Sequence, residues 1–131
     1  MKLVNYQDVK LEDVEIEGAS KTKIRWLISE KDKAPNFAMR VFEVEPNGHT
    51  PFHNHEWEHE VFILAGKGEL TLETGTKEFQ KGDVIFIDPD MKHNFKNTGE
   101  EVLKFICVIP LSNKPKKKSV NPFASGVANN C

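Results

Sequence analysis

Apolar residues in this chain recur at every second position far more often than at every third or fourth. Short stretches rich in Val, Ile, Phe and Thr show this at residues 9–16, 22–28, 37–44, 59–65, 69–73, 76–80, 84–87, 93–97 and 102–109. A period of two is the mark of strands with one face buried. Turn formers stand between them: Pro46-Asn47-Gly48, Gly66-Lys67-Gly68, Thr74-Gly75, Lys81-Gly82-Asp83 and Asn97-Thr98-Gly99. Several of these residues tolerate the positive φ that tight turns require. Residues 69–73 and 76–80 flank Thr74-Gly75 and read as a hairpin. About nine short strands at this spacing predict an all-β barrel or sandwich. No internal repeat and no second domain is visible. Residues 1–110 form the predicted domain, and residues 111–131 a separate tail. That tail carries Lys114-Pro115-Lys116-Lys117-Lys118 and then a polar end. It reads as a basic, flexible, solvated segment; a basic arm touching an acidic partner or a membrane is the other reading.

Composition narrows the function classes. A length of 131 residues suits one domain that buries a core unaided, and 38% apolar with 29% charged residues is ordinary for a globular protein. A formal charge of −2 argues against nucleic acid as the main partner. Neither a signal-peptide h-region nor an apolar run of membrane-spanning length is present, so a cytoplasmic protein with no membrane partner is expected. Cys107 sits in an apolar run and Cys131 is the last residue, and no disulfide framework is visible.

Chemistry concentrates in the histidines. Of five, four (His49, His53, His55 and His59) fall between residues 48 and 60, and His93 lies on another predicted strand. His53 and His55 are two apart, so an extended chain projects both to one face, and His59 keeps their parity. Three or four neutral imidazoles converging inside a small barrel make a site for a first-row divalent metal. His49 lies outside the set and reads as a rim or surface residue. His55-Glu56-Trp57-Glu58-His59 also matches the His-Glu-x-x-His pattern of zinc proteases. That pattern works on a helix, and Pro51 before it and the short run Val61-Phe62-Ile63-Leu64 before Gly66 favour a strand.

These residues resemble the cupin superfamily. Its first motif appears as Gly48, His53-Asn54-His55, Glu60 and Gly66, and its second as Gly82-Asp83, His93 and Asn97, with Asp88 and Asp90 where the family usually has Pro and Gly. A closer resemblance is carried by Ala34-Pro35-Asn36-Phe37, Met39-Arg40, His53-x-His55-x-Trp57-Glu58-His59-Glu60 and Phe105-x-Cys107-x-Ile109-Pro110. It is to the small single-domain manganese cupins known from thermophiles. The resemblance implies a single-domain cupin barrel, a double-stranded β-helix or jelly roll. It implies one divalent metal per chain, with manganese first and Fe, Ni, Co, Cu or Zn as alternatives. The implied ligands are His53, His55, His59 and His93, with Glu60 as the alternative to His59, since the commoner cupin pattern uses a carboxylate there. Parity with His53 and His55 favours His59; a bulge would reverse that.

Four neutral ligands leave the ion its full charge and, in an octahedral site, two positions for other ligands. The expected pocket lining is Arg40, Phe42, Trp57, Phe95, Phe105 and Cys107. Arg40, if it faces inward, needs an anion, either a carboxylate partner or an acidic substrate. Cys107 reads as a buried thiol, open to oxidation if it stands beside an oxidising metal. The leading expectation is a metal-dependent oxidoreductase acting on a small organic substrate with dioxygen or peroxide. The alternatives are a non-catalytic metal or small-molecule binding module and a cupin isomerase or epimerase. Strand edges near the N-terminus suggest pairing between chains, hence a homodimer.

Overall fold

The alternation reads correctly as sheet. A computed structural model describes residues 1–111 and residue 131, and its regular structure is almost wholly strand. They are β1 (Glu12–Asp13), β2 (Ser20–Ile28), β3 (Phe37–His49), β4 (His59–Ala65), β5 (Lys67–Leu72), β6 (Gly75–Gln80), β7 (Val84–Ile87), β8 (His93–Asn97) and β9 (Leu103–Pro110). Two single 3₁₀ turns, Tyr6–Asp8 and Glu30–Asp32, interrupt the N-terminal part. All pairings are antiparallel, in the order β6-β5-β8-β3-β9-β4-β7, with β2 on β3 and β1 on β2. The turn between β6 and β7 closes the curl, since Gly82 N–H donates to Ile63 O and Lys81 N–H to Gly66 O, both at 2.9 Å.

Alternation places one residue in two inside the curl. On β9 the inward set is Leu103, Phe105, Cys107 and Ile109, all fully buried. On β3 it is Ala38, Arg40, Phe42 and Val44. Phe42, Phe105 and Phe95 stack in sequence, with centroids 5.3 and 4.5 Å apart, and Phe79 meets Phe95 edge-on at 5.9 Å. This aromatic column is the centre of the core. Asn97 is buried and satisfied: its side chain donates to Val44 O and Glu101 O and accepts from Gly99 N–H.

Two predicted strands change by more than two residues at an end. The predicted strand 9–16 shrinks to Glu12–Asp13, which pairs with Lys23 and Ile24; Val14 is buried beside it without extending the ladder. The break predicted after Val44 is a bulge instead of an end. Register passes from Thr22–Val44 to Ser20–His49, so Pro46-Asn47-Gly48 leaves the ladder and returns. Asn47 takes a φ of 69° there. Gly48 is required by close approach, because a Cβ would stand 2.6 Å from Ser20 O. Of the expected tail, Leu111 and Cys131 are described, and both are buried; the basic run lies outside the described residues.

Truncating the central ring of the aromatic column, Phe105→Ala, should lower the unfolding free energy by about 3–5 kcal/mol. Denaturant titration of the two proteins measures this directly.

Candidate metal centre

The segment between β3 and β4 crosses the barrel mouth in extended form, and its parity is unbroken. Phe52, Asn54, Glu56, Glu58 and Glu60 are exposed, while His53, His55, Trp57 and His59 turn inward. Backbone bonds to the start of β8 hold it there. His53 and His93 exchange both N–H···O bonds at 3.2 Å, Thr50 N–H donates to Phe95 O at 2.9 Å, and Asp90 N–H donates to His55 O at 2.6 Å. Asp90 stands at a usual glycine position of the family and adopts a left-handed φ of 66°, a conformation that Asp tolerates better than most residues. That turn aims His93 across at its partners.

The four expected imidazoles therefore meet. Ring centroids are 5.1 Å apart for His53–His55, 5.2 Å for His55–His59, 5.0 Å for His59–His93 and 6.0 Å for His55–His93. One nitrogen from each of His55, His59 and His93 lies within 4.8 Å of the others. His53 is half-buried at the edge of this trio. The second nitrogens fix the ring orientation for two of them: His93 Nδ1 lies 2.8 Å from Met91 O, and His59 Nδ1 lies 3.3 Å from Cys107 Sγ. The Nε2 atoms of His53, His55 and His59 are buried with no hydrogen-bond partner among the described residues. Unsatisfied buried nitrogens are costly, and a divalent cation among His55, His59 and His93 would satisfy those of His55 and His59 at once. The donor set fits such an ion.

Burial also selects the protonation state that a ligand needs. It pushes the His55 imidazolium down to about 3, aided by His53, His93 and Arg40. The same desolvation lowers His59, His53 and His93. At neutral pH the cluster is uncharged, with lone pairs available.

Glu60 lies on the other face of β4, exposed, beside Phe86 and Val108. Partial desolvation, with a hydrogen bond to Glu58 and that residue's charge, raises its carboxyl to about 7. It does not join the imidazoles. His49 turns Nδ1 toward Thr50 O at 3.3 Å and also stands apart.

The expected lining residues divide into two groups. Phe42, Phe95 and Phe105 form the aromatic column, which touches the site through Phe95, 6.0 Å from the His93 ring. Trp57 stacks on His55 at 4.8 Å, nearly parallel. Arg40 is fully buried between Trp26 and Phe42, its guanidinium 5.5 and 5.1 Å from their rings. Its Nη2 donates to Cys107 Sγ at 3.0 Å, and burial lowers its pKa to about 9, so it stays cationic at neutral pH.

Cysteine is where the sequence reading is corrected. Cys107 is not a free thiol: it forms a disulfide with Cys131. Cys131 is buried, and its backbone oxygen lies 2.6 Å from His93 Nε2. The inward parity of Cys107 was legible, but nothing in the sequence paired it with a residue 24 positions away.

Comparison with known proteins agrees with this geometry. Residues 40–109 match the family model described as Cupin domain. The polyketide cyclase RemF from Streptomyces resistomycificus superposes with a TM-score of 0.81 and 40% identity, over 94% of this chain and 90% of that one. An oxalate-binding protein of Thermotoga maritima is 32% identical over 72% of this chain and 79% of its own length. A 1-methylthio-D-xylulose 5-phosphate methylsulfurylase of Rhodospirillum rubrum is 31% identical over 54% of this chain. This match spans about half, 46%, of the methylsulfurylase.

The neutral cluster predicts how metal-free protein responds to acid. Unfolded, His55 takes its proton near 6.5; folded, only near about 3. Between those values the unfolded state binds the extra proton, so stability is complete above 6.5 and is lost as the pH falls. The slope reaches about 1.4 kcal/mol per pH unit for each such histidine. Unfolding midpoints measured between about pH 7 and pH 5 should drop, and His55→Phe should make the drop shallower. A flat profile would contradict the buried neutral cluster.

Proposed function

This chain belongs to the cupin family, and from that premise we propose that it is a metal-dependent enzyme promoting ring closure of a small polycarbonyl substrate. The observation that carries the metal centre is the convergence of His55, His59 and His93 with buried, unpartnered Nε2 atoms beside them. The reaction class is supported by 40% identity to a polyketide cyclase over nearly the full chain.

In this reading His53, His55, His59 and His93 are the ligands, and Glu60, on the outer face, is not. A divalent ion bound there supplies Lewis acidity toward a carbonyl oxygen. The neutral ligands hold it without cancelling its charge. Manganese is the first expectation, and Fe, Co, Ni, Cu and Zn suit the same donors. Cys107 and Met91 keep the His59 and His93 rings turned so that Nε2 faces inward. Arg40 supplies a fixed positive charge in the wall, suited to an enolate or carboxylate oxygen. Trp57 backs His55 and limits water on that side. The oxidoreductase expected from the sequence is a second reading: the same donors with manganese or iron suit dioxygen or peroxide. Similarity to an oxalate-binding protein favours a third, a binding module without turnover.

Purified protein loaded with manganese or zinc should convert a linear tri-β-carbonyl acid to a cyclic product. Chelation or His55→Ala should remove both bound metal and turnover, with metal affinity falling about a hundredfold or more. Glu60→Gln should leave metal content unchanged. Oxygen consumption without ring closure would favour the redox reading. Tight dicarboxylate binding without any turnover would favour the binding module.

A homodimer and a cytoplasmic setting belong to the same proposal. Phe62 and Val84 pair across β4 and β7 on the outer face, 43% and 74% exposed, with Phe86 beside them at 57%. An apolar strip of this kind suits a second copy of the sheet. Light scattering should give twice the chain mass, and Val84→Lys/Phe86→Glu should give monomers.

A further inference from the structure

The disulfide lies among the groups that the metal reading uses. Cys107 Sγ is 3.3 Å from His59 Nδ1, and the sulfur of each cysteine lies within 4.8 Å of a His59 ring nitrogen. Cys131 is 1% exposed, and its backbone oxygen stands 2.6 Å from His93 Nε2. His93 is one of the three histidines, with His55 and His59, that bring a ring nitrogen within 4.8 Å of the others, and its Nδ1 is turned to Met91 O. Where Cys131 is seated, His93 is already in contact.

The contact is a poor one for the imidazole. His93 faces carbonyl oxygens from both ring nitrogens, Met91 O at 2.8 Å and Cys131 O at 2.6 Å. A neutral ring carries one N–H and satisfies only one of them. The other then stands acceptor against acceptor. With a cation on Nε2, the N–H goes to Met91 O and both nitrogens are satisfied. His93 therefore does not select Cys131. Among the described residues, the bond that seats Cys131 there is the one to Cys107.

We propose that Cys107 and Cys131 are a thiol–disulfide switch on metal binding: the disulfide seats the Cys131 oxygen on His93 Nε2 and excludes the ion, and reduction frees that nitrogen. This rests on the four-histidine metal site. The exchange needs a small dithiol as reductant. Its first thiolate attacks one sulfur, giving a mixed disulfide and releasing the other cysteine as a thiolate. Its second thiolate then displaces the remaining cysteine and leaves the reductant as a cyclic disulfide. Two electrons pass to the protein pair, which ends as two thiols after taking up two protons. A small-molecule disulfide such as oxidised glutathione drives the reverse, producing two equivalents of its thiol. Because linkage is reciprocal, bound metal disfavours the disulfide by the same factor by which the disulfide weakens metal binding.

The test uses full-length, metal-free protein in two forms, one oxidised with glutathione disulfide and one reduced with dithiothreitol and desalted without air. Alkylation and intact mass count the thiols, and calorimetry with Co²⁺ or Mn²⁺ measures affinity. The reduced form should bind about one ion per chain, and the disulfide form should bind at least about tenfold more weakly. Cys131→Ser should bind as the reduced form does after either treatment. Saturating Mn²⁺ should slow formation of the Cys107–Cys131 bond. Equal affinity in both forms of the unsubstituted chain would overturn the switch, as would two free thiols in the oxidised, metal-free protein. Metal held by the reduced chain but not by Cys131→Ser would overturn it too, since the cysteines would then be ligands. If Cys131→Ser folds, by its thermal transition, but neither it nor the reduced chain takes up metal, the four-histidine reading fails first and the switch with it. Binding indifferent to redox state leaves that reading intact and removes only the switch.

Discussion

A buried imidazole has two nitrogens to satisfy and, when neutral, a single proton to do it with. Placing four of them in one barrel mouth raises this shortage to the level of the fold. His59 turns one nitrogen to the protein, against Cys107, and His93 turns both, against Met91 O and Cys131 O. The inward nitrogens of His53, His55 and His59 are left without partners among the described residues. A core of ordinary polar residues does not tolerate this. Asn97, equally buried, has three hydrogen bonds within its reach. The contrast between a satisfied asparagine and unsatisfied histidines, all buried in the same barrel, separates a structural polar group from one suited to a ligand.

That shortage is sustained by the packing beneath it. The stack of Phe42, Phe105 and Phe95 fills the barrel below the imidazoles, and its own β8 residue adjoins His93. Strand alternation ties the two layers together. On β8 the inward positions are His93, Phe95 and Asn97; on β4 they are His59, Val61 and Ile63. Shifting either strand by one residue would exchange core and site for solvent-facing residues together, so the site's register is protected by the burial energy of the whole barrel. The bulge at Pro46-Asn47-Gly48 does comparable service at the mouth, because it returns β3 to the ladder at His49 and lets the next residue, Thr50, bond to Phe95.

The same logic explains what was readable beforehand. Period-two patterning revealed the strands because each has one wet and one dry face, and it placed His53, His55 and His59 together because the crossing segment stays extended. The choice of His59 over Glu60 as the inward residue follows from that parity alone. The pattern failed where the alternation itself slips: Val9 and Leu11 share one parity and Val14 and Ile16 the other, and only Glu12 and Asp13 join the ladder. It also could not reveal the continuity of β3 through Pro46, since a bulge and a turn use the same residues. The Cys107–Cys131 bond was beyond it for another reason. Periodicity is local, and a cross-link over a separation of 24 residues depends on where the barrel brings the chain back.

Arg40 adds the last constraint. Its guanidinium is held by two aromatic faces and the Cys107 sulfur, an arrangement in which cation–π attraction partly replaces hydration. Burial does most to lower the imidazolium pKa of His55 and His59, and the Arg40 charge adds to it in both. The same charge opposes a second cation nearby. In the proposed site, a dication held by four neutral histidines would keep its full charge. Net charge of the chain, −2, says nothing of this local field. Such a site would favour a molecule that is electron-rich at the end it presents, as an enolate, a carboxylate or a polarised carbonyl is and an ammonium is not.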